Sequence, residues 1–417
     1  MAFHRSLLVA VFAAGILAAA PAGAAQQEQK KEEKSTFMSP ATYNRISRAH
    51  DAIEEGKYQS ALESLQDLAD DVKERPYEYA VTLQTIGYVY IAQEDFETAV
   101  KYYRQALELN ALPTEPEKQV VYTLAQLYAT LGQFQNTINM LEQWFKTAEN
   151  PPADAYVMLA NAYAALERFK EAYPPIKQAL AKADQPKEDW YKLALGIQFE
   201  LQKYREAAET LEVLIANWPE RDMYWRQLSG IYLQLEEDAK ALATMALAYE
   251  RGMIEKGEDI LNLVRLYMLN GVPVKAGEVL SKGIQEGKVE NTLKNQELLA
   301  QAWIQAREFD KGIAALGEAA KLSDDGELFI RQAQLYVSMA NWDGAAAAAR
   351  RALEKGGLDQ KKTGQAWLLL GTASAEKKDF NTAVEAFNKA RGYEDTRRTA
   401  TQWLNFVQTE QQVTSLN

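Results

Sequence analysis

The chain has 417 residues, 47% of them apolar and 25% charged, a balance that suits a folded protein and not a disordered one. Its 46 Lys and Arg against 58 Asp and Glu leave a net charge of −12, which argues against the basic footprint of a nucleic-acid binder. Cysteine is absent and histidine occurs only as His4 and His50, so disulfides, thiolate catalysis, zinc fingers, iron–sulfur clusters and a lipidated cysteine are excluded.

Residues 1–25 read as a secretory signal: Arg5 opens it, an apolar run follows from Leu7 to Ala20, and Pro21 precedes the small residues Ala22 to Ala25. The run is too short to span a bilayer comfortably, where about 20 residues are needed. The expected product is a soluble periplasmic protein. Residues 26–38 begin QQEQKKEEKST, too polar to bury surface that would offset the entropy of ordering, and read as a flexible leader.

From residue 39 to about 395 one unit recurs ten times. Its clearest copy has Leu83, Ile86, Gly87 and Tyr90, then Phe96, Ala99, Tyr103 and Ala106. A small residue marks the second half of each copy: Ala61, Ala99, Thr137, Ala172, Ala207, Ala241, Ala276, Gly312, Ala345 and Ala383, at spacings of 33 to 38. Three residues earlier stands an aromatic in eight copies (Tyr58, Phe96, Phe134, Phe169, Tyr204, Phe309, Trp342, Phe380), with Asp238 and Pro273 in the other two. Apolar residues at i, i+3, i+4 and i+7 predict two helices per copy, joined by a short turn such as Gln93-Glu94-Asp95 or Asn270-Gly271-Val272. Gly271 suits a helix C-cap and Pro273 the first turn of the next helix. Small residues in the first helix (Gly87, Ala125, Ala160, Ser229, Ala300, Ala333, Gly371) should let the two backbones approach, and the aromatics fill the gaps between units. A lone pair cannot bury its apolar face, so the units must stack.

This pattern resembles the tetratricopeptide repeat (TPR). The resemblance implies an all-α fold: a right-handed superhelix, or α-solenoid, of about ten helix pairs. Five places depart from it. Leu195 and Val264 replace the small residue, Arg45 and Arg48 stand where the first copy should be bulky, and Thr137 with Trp144 loosens the third. Pro174-Pro175 should break or kink a second helix. Residues 396–417 read as a capping helix and tail, with Ala400, Trp403, Phe406 and Val407 on its apolar face and Thr414–Asn417 frayed.

Catalytic patterns are missing. Gly283 to Lys288 is one residue short of a phosphate loop, and no HExxH occurs. His50 reads as a surface histidine beside Asp51. Acidic pairs (Glu54-Glu55, Asp70-Asp71, Glu236-Glu237, Asp324-Asp325) fall in turns and helix ends, where they solvate or cap. Arg350-Arg351 and Arg397-Arg398 read as solvated faces. No enzyme, cofactor or metal is expected; a hydrolase using surface carboxylates is the remote alternative.

What remains is surface. The resemblance implies that first helices line a groove that receives a peptide, and the residues expected there are Tyr88, Tyr122, Gln126, Asn161, Lys192, Phe199, Arg226 and Arg265. Relatives that clamp a terminal carboxylate use Lys and Asn; Asn161 fits one such place, but Val157 stands where a base is wanted. Lys192, Arg226 and Arg265 could favour an acidic segment. The stretches Tyr224–Gly230, Ala241–Ala246 and Leu266–Pro273 resemble periplasmic TPR proteins found with TonB–ExbB–ExbD energy-transduction systems. That resemblance implies a scaffold supporting TonB-dependent uptake, with TonB or ExbD as partner; the alternative is a scaffold for envelope assembly or exopolysaccharide export.

Overall fold

The computed structural model describes residues 37–416, which form 21 α-helices and no strand. The signal sequence (1–25) and nearly all of the leader (26–38) lie outside the described residues. Two compact units divide between Thr210 and Leu211, inside α10 (Tyr204–Asn217).

The first unit pairs α1 (Pro40–Glu54) with α2 (Tyr58–Asp71), and α3 (Pro76–Ala92) with α4 (Phe96–Glu108). It continues with α5 (Thr114–Thr130) and α6 (Phe134–Phe145), α7 (Ala153–Ala165) and α8 (Phe169–Lys182), then α9 (Glu188–Glu200). The second unit pairs α11 (Asp222–Gln234) with α12 (Asp238–Glu250), α13 (Gly257–Leu269) with α14 (Pro273–Gln285), and α15 (Leu293–Gln305) with α16 (Phe309–Leu322). Then come α17 (Glu327–Ser338) and α18 (Trp342–Lys355), α19 (Gln360–Glu376) and α20 (Phe380–Ala390), and α21 (Glu394–Leu416). The all-α class and the paired helices are those the repeat predicts.

The ten anchors are all buried, and every second helix starts at the residue three before its anchor, whether aromatic, Asp238 or Pro273. Those first residues are half-buried. The small residues set the contact between backbones. Ser229 donates its hydroxyl to the carbonyl of Ala241, the anchor of its own pair, at 3.0 Å. At Gly87 a Cβ would sit 2.6 Å from the Tyr103 ring, and at Gly371 it would sit 2.6 Å from the Phe387 ring. The ring thus occupies the space that the missing side chain vacates.

Each pair turns through three residues, and the middle one has positive φ in all ten: Gly56, Glu94, Gly132, Glu167, Gln202, Glu236, Gly271, Arg307, Ala340 and Lys378. The residue after it donates its N–H back to a carbonyl five residues earlier, as Asp95 does to Tyr90 (2.9 Å) and Val272 to Tyr267 (2.8 Å). These bonds satisfy carbonyls that a helix end would otherwise leave bare. Only three of the ten left-handed residues are glycine, so seven turns hold an L-residue in a conformation that its Cβ disfavours. Asp95, Asn341 and Asp379 then accept from the N–H three residues on and cap the second helix.

The departures resolve as follows. The first pair packs in spite of Arg45 and Arg48: Ile46, Ala49 and Ile53 close on Ala61, Leu62, Leu65 and Leu68. Arg45 is held at the rim by Asp71 at 2.6 Å. Buried Glu78 accepts hydrogen bonds from Thr42 and from the Ser39 N–H (3.1 Å) and pairs with Arg75 (2.7 Å), tying α3 to the start of α1. Burial pushes its carboxyl up, but these bonds outweigh burial and hold it below the usual carboxylate range. Leu195 and Val264 are buried at the small position. The prolines do not break α8, which runs from Phe169 to Lys182 through both. The carbonyls that lose a donor belong to Lys170 and Glu171, which are exposed, so water can replace the missing N–H groups.

Helix α21 starts at Glu394, two residues before the expected boundary, and continues to Leu416. Its packed face is Ala400, Trp403, Leu404 and Val407; Phe406, expected there, is 53% exposed and only edges onto Trp403. His50 is half-buried with its ring 5.8 Å from that of Tyr88, not on an open surface, and burial pushes its pKa down.

Two stability changes are expected. Gly87→Leu should overpack the Tyr103 contact and lower the urea midpoint, at a cost of about 1–3 kcal/mol. Ala340→Gly should raise stability by about 0.5–1 kcal/mol, because exposed Ala340 has φ 53° and no packing to lose. Gly271→Ala, at φ 70°, should do the reverse.

Candidate functional site

Helices α11 and α13 are first helices of successive pairs, and between them opens a pocket of about 540 Å3. Its walls are Arg226, Ser229, Gly230 and Leu233 from α11, and Asp259, Asn262, Arg265, Leu266 and Leu269 from α13, with Met245 of α12 joining them. The spacing of three and four places each set on one helix face. The pocket is therefore graded: charged at the N-terminal ends (Arg226, Asp259), apolar at the C-terminal ends (Leu233, Leu266, Leu269).

The charged end is already neutralised. Arg226 donates to Asp222 at 2.6 Å and across to Asp259 at 3.1 Å, bridging the two helices. The bond from Arg226 is the main reason why the Asp222 carboxyl is held below its usual range. Arg265 differs. It is exposed, it donates to Asn262 at 2.7 Å, and it has no carboxylate partner among the described residues. The apolar end is open, Leu233 being 40% and Leu269 60% exposed. Gly230 lies between. It is exposed mid-helix, and a Cβ there would meet nothing within 4 Å. Packing does not require this glycine, which costs its helix about 1 kcal/mol relative to alanine.

Of the expected groove residues, the structure brings Arg226 and Arg265 together in this pocket. The others are elsewhere. Tyr88 of α3 packs on His50, and Tyr122 of α5 lies 4.6 Å from the Trp144 ring. Burial, then the charge of Asp154, pushes the Tyr122 hydroxyl up to about 12, so it stays a neutral phenol. Gln126 is half-buried and Asn161 exposed. Lys192 of α9 is held by Glu188 (3.2 Å) and Asp189 (3.3 Å), and Phe199 is half-buried at the end of the same helix. Two of the three cations expected to attract an acidic segment are thus committed to carboxylates of this chain. Sequence reasoning missed Gly230, Leu233, Asp259 and Leu269. The one signal for them was Gly230 itself, a glycine inside a helical pattern with no turn to make.

Among the described residues no group of three or more His, Asp or Glu side chains could hold a metal ion, and no helix is long and apolar enough to cross a membrane. Asp325, from an acidic pair, caps the start of α17 by accepting from the Glu327 N–H at 2.9 Å.

Two family models, each described as tetratricopeptide repeat, match residues 197–253 and 330–396, and residues 80–111 and 153–181. Over these stretches the chain carries tetratricopeptide repeats. Helices α11 and α12 lie inside a matched stretch, while α13, the other wall of the pocket, lies between two. No curated protein matches the chain. Similar solved structures include a tetratricopeptide repeat protein from Parabacteroides merdae, with 15% identity over 72% of this chain and 100% of that one, at a TM-score of 0.36. YrrB, a TPR protein with an unusual peptide-binding site, has 18% identity over 45% of this chain and 92% of its own, at 0.37. MamA has 21% identity over 43% and 96%, at 0.33.

Arg226→Met should cost about 1–3 kcal/mol, since the Asp259 side chain, 10% exposed, would lose its counter-ion. Arg265→Gln should change stability by less than about 0.5 kcal/mol. Urea unfolding of the two variants checks the contrast; equal losses would mean that Arg265 also has a structural partner.

Proposed function

We propose that this chain is a periplasmic protein-interaction scaffold that takes an extended segment of a partner along its first helices, with the α11–α13 pocket as the principal anchor. The observation that carries the reading is the exposed mid-helix Gly230, which leaves room for a close backbone approach between open leucines and an uncommitted arginine. TPR repeats suggest binding to protein or peptide partners, which fits a pocket with no assembled catalytic group. The location rests on the signal pattern of residues 1–25. The partner proposed is TonB or ExbD, supported by the resemblance of Tyr224–Gly230, Ala241–Ala246 and Leu266–Pro273, stretches that also supply walls of the pocket.

In-cell photo-crosslinking tests this. Probes at Asn262 and Leu269 should capture TonB or ExbD, and a probe at exposed Lys282 of α14 should not. Capture of envelope-assembly or polysaccharide-export components at the pocket would change the partner and keep the site. Equal capture at all three positions would remove the site.

A further inference from the structure

Resting on the reading of the α11–α13 pocket as a peptide anchor, we infer that its ligand is an extended segment with one acidic side chain two residues from an aliphatic one, the carboxylate on Arg265 and the aliphatic group between Leu233 and Leu269. Charge sets the first requirement. Asp259 is answered by Arg226, and Arg226 by two carboxylates, so the pocket's remaining charge is the Arg265 guanidinium. A guanidinium is a fork of donors with no acceptor, and a carboxylate satisfies it with paired hydrogen bonds. The second requirement comes from the exposed leucines, whose area is covered by an aliphatic side chain.

Spacing joins the two. Arg265 and Leu269 are one helical turn apart, about 6 Å at 1.5 Å per residue. In an extended segment, side chains two residues apart share a face and stand about 6.6 Å apart. A helical ligand would place its groups at the same pitch, but its main chain lies inside a sheath of its own side chains and cannot come as close to Gly230 as an extended one. Gly230 admits the extended backbone. Its place in α11 is that of Arg265 in α13, each eleven residues before its anchor (Ala241 and Ala276), so the two positions look out of the neighbouring helices in the same sense and α11 places no side chain beside the arginine.

The test uses the full chain and fluorescently labelled peptides with blocked termini, which removes any terminal carboxylate. Each has one leucine and, two residues away, aspartate, asparagine or lysine, in both orders, in a serine–glycine background. Anisotropy titrations to millimolar peptide should show an aspartate peptide binding at least about tenfold more tightly than its asparagine twin, about 1.4 kcal/mol. Arg265→Gln should erase that difference, and moving the aspartate next to the leucine should weaken binding. Gly230→Leu should block binding without unfolding the chain, which circular dichroism checks. If the aspartate and asparagine peptides bind alike, or the lysine peptide binds best, the inferred ligand is wrong; blockage by Gly230→Leu would then still keep the pocket as the anchor. If binding survives Gly230→Leu, the pocket falls too. No binding by any peptide overturns the inference outright.

Discussion

The structure depends on how closely two helix backbones approach at the small residues. The anchor of the second helix lies against the first helix twelve residues before it, as Ala99 does at Gly87 and Gly312 at Ala300, and at Ser229 and Ala241 that approach is close enough for a side-chain hydroxyl to reach the opposing main chain. Where the first helix has glycine, an aromatic ring four residues past the anchor takes the space, as Tyr103 does over Gly87 and Phe387 over Gly371. Dense packing leaves little tolerance for volume at these places. Larger residues at the same register, Leu195 and Val264, are still buried, so the rule is one of filled volume and not of residue type.

That contact fixes the turn. Helices held this near, with three residues between them, reverse through one left-handed residue whose successor bonds back into the helix end. Because packing on either side over-determines the turn, glycine is not required, and glutamate, glutamine, arginine, lysine and alanine are forced into its conformation. The exposed edge is equally permissive. In α8 two consecutive prolines are accommodated because Lys170 and Glu171, whose carbonyls lose their donors, are exposed.

These two facts decide what the sequence discloses. Anchor spacing predicts where every second helix starts, because the constraint acts on residue size and size is written in the sequence. The left-handed turn residues are not disclosed, since at seven of ten a side chain is merely tolerated. The capping helix shows the limit of periodicity: Leu404 and Phe406 both fit an apolar stripe, and only the packing against α19 and α20, in one cluster with Ala375, Ala383 and Phe387, decides that Leu404 is in. For the site, the face was legible and the chemistry was not. Arg226 and Arg265 fall on the pocket face as their register requires, yet whether an arginine is spent depends on Asp259, thirty-three residues away and on another helix.

Pairing between neighbouring first helices is common in this chain and has a consequence for recognition. Asp154 meets Lys187, Arg226 meets Asp259, Glu297 meets Arg331 and Glu327 meets Lys362, each pair lying 33 to 35 residues apart. Such bridges are worth little to stability when exposed. They do cancel charge on the face that would meet a ligand, so recognition there falls to whichever group the bridges leave over. In the α11–α13 pocket that group is Arg265. A net charge of −12 repels an acid-rich partner at long range, while screening over about 10 Å at 0.1 M salt leaves contacts within the pocket largely intact. The two effects together select a segment that is sparing in acid overall and has one carboxylate placed to meet one arginine.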